Sequence, residues 1–247
     1  MPARAAVLTI GNELVSGDVP NSNGTWLAQR LERLGVRVVL MAAVPDDLDR
    51  IITFVRREAP LVDHLIVTGG LGGTPDDITR EAIAAAFGVG QRVLPELEAE
   101  LRARFPHAPD YYGRWAALPE GATPLGGTNG APGFRLGNVW VLPGLPAEME
   151  LMFDRNADGF RTGESVAVWR RRLPNTSERE IVHLLVEATE RWPTVTVGSY
   201  PSFTPHGPEV EVVLKSTDAA AFAEATAYVE ATLDGWPRSS PSPTSPT

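Results

Sequence analysis

Residues 68–79, Thr-Gly-Gly-Leu-Gly-Gly-Thr-Pro-Asp-Asp-Ile-Thr, directly follow the apolar run Leu65-Ile66-Val67. The four glycines leave backbone N–H groups that an anion can approach without meeting a Cβ. A strand that feeds such a turn and then a helix is where open α/β sheets hold phosphorylated ligands. Thr68, Gly69, Gly70, Leu71, Gly72, Gly73 and Thr74 are therefore the candidate phosphate-binding residues; a tight connection with no ligand is the plainer alternative. Asp76 and Asp77 are expected in the first helical turn, where one acid suffices as a dipole partner. Two acids beside a phosphate repel it unless a divalent cation or a proton intervenes. Mg²⁺, held by one or two carboxylates together with phosphate oxygens, resolves the conflict, and Asp77 is preferred to Asp76. The spacing has neither the Gly-Lys-Ser/Thr of a nucleotide P-loop nor a dinucleotide fingerprint.

Asp46 follows an apolar strand, residues 36–43, as Asp77 follows residues 61–68. In a parallel sheet both acids lie at one edge and could share a metal or a water; simple N-capping, shared with Asp47, is the alternative. Gly11 and Glu13 also lie beyond the carboxyl end of a strand, with a solvated loop acid as the alternative for Glu13. Two more loops have ligand-loop composition. Asn129, Gly130, Pro132 and Gly133 suit a base, ribose or pterin edge, and Pro143 with Gly144 ends a strand and opens a helix; for both, a plain turn is the alternative. None of the four histidines is spaced as a zinc motif requires, and no Gly-x-Ser-x-Gly elbow is present.

These residues need a sheet to position them. With 43% hydrophobic and 21% charged residues, the 247-residue chain has the makings of a large soluble core. A net charge of -9 argues against nucleic acid or an anionic membrane as partner. The absence of cysteine removes disulfides, thiolate metal sites and cysteine nucleophiles. No run reaches the length of a membrane span, and Met1–Arg4 leads into a strand without an apolar signal core, so a cytoplasmic location is expected.

Strand and helix signals alternate: strand 5–10, helix 22–34, strand 36–43, a helix after Asp46 or Asp47, strand 61–68, then a helix with Ile78, Ala82 and Ala86 inward. This order predicts a mostly parallel, three-layer α/β domain over residues 1–160. A helix from Pro95 to about Phe105, irregular residues 106–120, strands 133–136 and 139–142 and a helix with Met149 and Phe153 complete it. A linker, residues 154–164, precedes a small β-α-β-β-α domain over 164–236, with strand 166–173, a helix opened by the Ser177/Glu180 capping box, strands 194–199 and 210–215 and a helix 218–233. Residues 237–247, rich in Pro, Ser and Thr, are expected to be disordered.

Gly11-Asn12-Glu13-Leu14 with Gly17, Asn21-Ser22-Asn23, Thr68–Thr79, Asn129–Gly133 and Leu142–Met149, in this order, resemble the molybdopterin-binding-like domain of the CinA (competence/damage-inducible) proteins, shared with molybdenum-cofactor proteins of the MoaB, Mog and MoeA type. Gly198-Ser199-Tyr200-Pro201 resembles the small domain that follows it there. Gly73 stands where the CinA pattern usually has proline, which suggests a looser turn. The resemblance implies a hydrolase, a divalent-metal-dependent (Mg, Mn or Co) pyrophosphatase acting on ADP-ribose, and in the Mog-type relatives aspartates at positions like Asp46 and Asp77 serve Mg²⁺-dependent adenylyl transfer. Asp77 and Asp46 are therefore the expected catalytic residues, with a metal held by Asp77 together with Asp46 or Glu13. It leaves open a molybdopterin-binding adenylyltransferase, or a module that binds its ligand without turnover. Self-association is also implied. CinA proteins often carry a C-terminal deamidase domain, which is not expected here because the chain ends in the Ser/Pro tail.

Overall fold

The computed structural model describes residues 2–126, 130–161, 166–205 and 207–235. The chain divides into two compact units, Met1–Gly163 and Glu164–Thr247. In the first, β1 (Arg4–Ile10), α1 (Asn12–Ser16), α2 (Ser22–Arg33), β2 (Arg37–Val44), α3 (Leu48–Glu58), β3 (His64–Thr68) and α4 (Thr79–Phe87) are followed by β4 (Gln91–Val93), α5 (Pro95–Arg104), α6 (Pro109–Gly113), β5 (Ala117–Pro119), β6 (Thr123–Leu125), β7 (Gly133–Leu136), β8 (Val139–Leu142) and α7 (Pro146–Arg155). Among the described residues one sheet runs β2-β1-β3-β8-β7-β6. Its first four strands are mutually parallel and the last two join antiparallel.

Leu27 and Leu31 of α2 and Met149, Met152 and Phe153 of α7 bury against one face of this sheet, while Ile51, Phe54 and Val55 of α3 and Ile83 of α4 bury against the other. Burial of each such side chain contributes about 1.5–3 kcal/mol. Because α2 and α3 leave β1 and β2 for opposite faces, the winding reverses at β1, which opens a crevice beyond its carboxyl end. Register levels the strand ends there: Ile10 pairs with Val44, Thr9 with Thr68, and Thr68 with Leu142.

The structure corrects several expectations. Asp76 and Asp77 precede α4, which starts at Thr79. The Asp77 carboxylate accepts from the Gly72 and Thr74 amides, closing a loop before the helix can begin. Strand β3 starts at His64, because Ala59–Leu61, with Pro60, form a 3-10 turn. Residues 106–120 are not irregular: α6, a 3-10 turn at Arg114–Ala116 and β5 pack around Phe105, Tyr112 and Trp115. Elements of three to five residues are too short to show a period. Part of the expected linker is core, with Phe160 fully buried and stacked on Phe153 at 4.7 Å.

The second unit contains β9 (Ala167–Pro174), α8 (Glu178–Arg191), β10 (Thr196–Thr204), β11 (Gly207–Ser216) and α9 (Ala219–Asp234), with strand order β10-β11-β9. The Ser177/Glu180 capping box opens α8. Edge strand β10 continues through Pro201, beyond the expected Ser199, because an edge position tolerates proline. Among the described residues no helix is long and apolar enough to cross a membrane. The tail at 237–247 lies outside the described residues.

Candidate functional site

The ends of β1, β3 and β8 meet at backbone distance. The Gly69 amide donates to Leu142 O at 3.3 Å, a Cβ on Gly144 would lie 3.3 Å from Gly69 Cα, and a Cβ on Gly69 would collide with the Ile10 carbonyl. Gly69 and Gly70 have φ of 107° and 63°, a left-handed path that glycine follows without strain.

Two consecutive residues of α4 hold the turn from behind. The Thr79 hydroxyl donates to Gly69 O at 2.8 Å and the Thr79 amide to Gly70 O at 3.2 Å. The Arg80 guanidinium donates to Leu71 O and Gly72 O, both at 2.8 Å. Four successive carbonyls are thus tied to the helix. In a trans peptide N–H points opposite to C=O, so the amides of residues 70–73 are turned away from it. The Gly72 amide donates to Asp77 Oδ1 at 2.8 Å, and those of Gly70, Leu71 and Gly73 have no partner among the described residues. The Leu71 side chain is buried in the core, and the Thr68 hydroxyl donates to Pro143 O at 2.6 Å.

Gly73 does not give a looser turn. A Cβ there would run into the Tyr111 ring, so glycine lets Tyr111 of α6 pack directly on the loop. Arg114 in turn lies over Tyr111, 5.4 Å from the ring centroid.

Among the acids, Asp47 caps α3 by accepting from the Arg50 amide at 2.9 Å, which leaves Asp46 for another role. Asp46 accepts from the Asn12 amide at 2.9 Å while Asn12 Oδ1 accepts from the Asp46 amide at 3.3 Å, locking α1 to the end of β2. Burial pushes the Asp46 carboxyl above the ordinary aspartate range, and the charges of Glu13 and Asp76 add to the rise. Asp77 spends one oxygen on the Gly72 amide and the other on the Thr74 amide and hydroxyl. The acid of the loop whose charge reaches Asp46 is therefore Asp76.

A cavity of about 130 Å³ opens at the strand ends, lined among others by Ile10, Glu13, Asn23, Thr68, Gly69 and Gly144. It accepts one phosphate-sized group, since whole-ligand pockets run from about 300 Å³ upward. Asn23 Nδ2 donates to Gly144 O at 2.7 Å, and its buried Oδ1 is left without a partner among the described residues. Gly11 caps α1 with its amide on Val44 O at 3.1 Å. Pro132 and Gly133 are not at this cavity. Both are buried, and Gly133 pairs with Leu125 in β7, where a Cβ would strike Met152 and the Val141 carbonyl. Gly130 sits against Glu148, and Asn129 lies outside the described residues.

Among the described residues no group of three or more His, Asp or Glu gathers as a ready metal site. Asp46 feels the charges of Glu13 and Asp76, although the three do not gather as a ligand set. These are hard oxygen donors whose mutual repulsion a cation relieves, and phosphate oxygens can complete the shell. Asp77, both oxygens engaged, fits shaping of the turn instead. Sequence reasoning missed Arg80, Tyr111 and the roles of Asn12 and Asn23. A signal for Arg80 was present: an arginine at the second position of a helix opposes the helix dipole.

Residues 6–158 match the family described as a probable molybdopterin binding domain, and residues 173–237 the FAD synthase middle domain. The crystal structure of the protein CinA from Thermoplasma acidophilum is 31% identical, with a TM-score of 0.60 over 64% of this chain and 99% of that one. The chain belongs to the CinA-like family. A CinA-like protein of Frankia casuarinae is 41% identical over 76% of this chain, which spans 48% of that relative. An Archaeoglobus fulgidus protein is 36% identical over 79% of this chain and 84% of its own length. The CinA-like assignment and the mixed α/β architecture agree with the sequence expectation.

Proposed function

We propose that the first unit binds a nucleotide or pterin diphosphate at the ends of β1, β3 and β8 and hydrolyses it in a divalent-metal-dependent way, with ADP-ribose as the substrate to test first. The supporting observation is the set of four carbonyls, Gly69 to Gly72, tied back to Thr79 and Arg80. It leaves the Gly70, Leu71 and Gly73 amides pointing away from the helix, on a loop whose Asp76 acts electrostatically on Asp46.

The chemistry follows from this layout. One phosphate enters the cavity, and the Gly70, Leu71 and Gly73 amides donate to the oxygens on which negative charge grows as water attacks phosphorus. Asp46 together with phosphate oxygens would hold a cation, which supplies charge neutralisation and water activation when bound. The new P–O bond forms from the water oxygen and the bridging P–O bond breaks. The attacking water gives up its proton to solvent and the departing phosphate takes one up, giving AMP and ribose 5-phosphate from ADP-ribose.

Purified protein incubated with ADP-ribose and Mg²⁺, Mn²⁺ or Co²⁺ is expected to yield both products by chromatography. Asp46→Asn should cut turnover by about 100-fold or more. Its Tm at pH 7 should be no lower than that of the native protein. The folded-state pKa of Asp46 lies above its unfolded value, so the ionised carboxylate costs stability at neutral pH, and the cost disappears as pH falls through that raised value. Thermal stabilisation by ADP-ribose without products would leave a binding module. Consumption of ATP with molybdopterin, the ligand that the family description names, would make it an adenylyltransferase.

A further inference from the structure

Arg80 is 6% exposed and sits at the second position of α4, where a cation opposes the helix dipole. No carboxylate pairs with it among the described residues. Glu81 and Asp77 act on it only through their field, against Arg114, and burial works against its charge. A guanidinium placed so is a poor choice for stability alone, because the desolvation of a charge with no contacting carboxylate is returned by two carbonyls and the field of nearby acids, without an ion pair. Local rules broken in this way mark functional positions.

We infer that Arg80 is a positioning residue of the anion site: by gripping Leu71 O and Gly72 O it sets the Gly72 amide on Asp77 and aims the Gly73 amide outward, and its buried charge gives the turn the positive potential to hold a diphosphate beside three acids. The inference rests on the diphosphate reading above and adds the source of the site's charge. Three features support it. The fork spans two consecutive carbonyls, which a lysine ammonium cannot reproduce in one fixed plane. The remaining pair, Gly69 O and Gly70 O, is held by the neutral Thr79, so the ionic contribution to the turn is Arg80's. The loop that Arg80 holds also carries Asp76 and Asp77, so its amides would otherwise stand in a negative field.

The test uses the full chain and its Arg80→Gln and Arg80→Lys variants, with affinity for ADP-ribose, pyrophosphate and AMP measured by calorimetry at several salt concentrations. Arg80→Gln should weaken ADP-ribose and pyrophosphate by about tenfold or more, weaken AMP less, and flatten the salt dependence. Arg80→Lys, which keeps the charge and loses the fork, should fall between and retain the native salt slope. If Arg80→Gln does not fold, Arg80→Lys alone decides: weaker diphosphate binding at an unchanged slope supports the role, and native affinity overturns it. Equal loss for every ligand with an unchanged slope would mean packing only and would overturn it too. Unchanged affinity in both variants overturns this inference alone. Failure of the native protein to bind either ADP-ribose or pyrophosphate overturns the diphosphate reading and takes the Arg80 assignment with it.

Discussion

At the amino ends of β1 and β3, polar groups close on one another. The Arg4 amide donates to Asp63 at 2.7 Å, the Asp63 amide returns to Arg4 O at 2.9 Å, and Asn138 Nδ2 donates to both Ala59 O and Val62 O at 2.8 Å. His64 is packed against Phe160, 5.4 Å between ring centroids. At the opposite ends of the same strands, glycines replace side chains, carbonyls are tied backward and amides are turned outward. The strands are alike at both ends. The difference lies in which hydrogen-bonding groups the connections leave over: the carboxyl end leaves the Gly70, Leu71 and Gly73 amides without a partner among the described residues and places Glu13 at a cavity.

The largest break in that contrast is expected from Gly69→Ala. At φ 107°, with the Ile10 carbonyl in the way, a methyl group forces the turn open. The strain should cost about 1–3 kcal/mol in urea unfolding, and calorimetry should find ADP-ribose binding lost. Asn138→Ala is the counterpart at the amino end. It strands two carbonyls and should cost about 1–2 kcal/mol in the same unfolding assay while leaving ADP-ribose affinity at its native value. The smallest effect concerns pH. Burial lowers the His64 pKa below 6.5, with Arg135 adding to the shift and Asp63 opposing it. Stability from the neutral ring is present above the unfolded pKa and is lost as pH falls through the lowered one. His64→Leu should therefore flatten the slope of stability between pH 5 and 7, by about 1 kcal/mol or less, without changing ligand affinity.

Long periodic segments were legible in the sequence. Leu27 and Leu31 marked α2, and the apolar runs at 133–136 and 139–142 are β7 and β8 to the residue. The loops were legible as loops, because Gly and Pro punctuate them, but not in their internal wiring. Asp77 looked like a helical acid with free oxygens, and its use by the Gly72 and Thr74 amides depends on a closure three to five residues long that no periodicity encodes. Arg80 went unnoticed because the groups it serves lie eight and nine residues back. Gly133, read as a ligand glycine, is there for Met152, a contact that only packing reveals.

Because Thr79 and Arg80 are adjacent, they fasten the strand exit to the helix at a single point of register. Loop and helix then move as one body, and a ligand finds the amides already arranged, so little ordering entropy is lost on capture. Asp77, whose carboxylate takes the Gly72 and Thr74 amides, sets the spacing between loop and helix, and one residue inserted between positions 73 and 79 would rotate the fork off its carbonyls. Both the length of that segment and the carboxylate of Asp77 are what selection must guard.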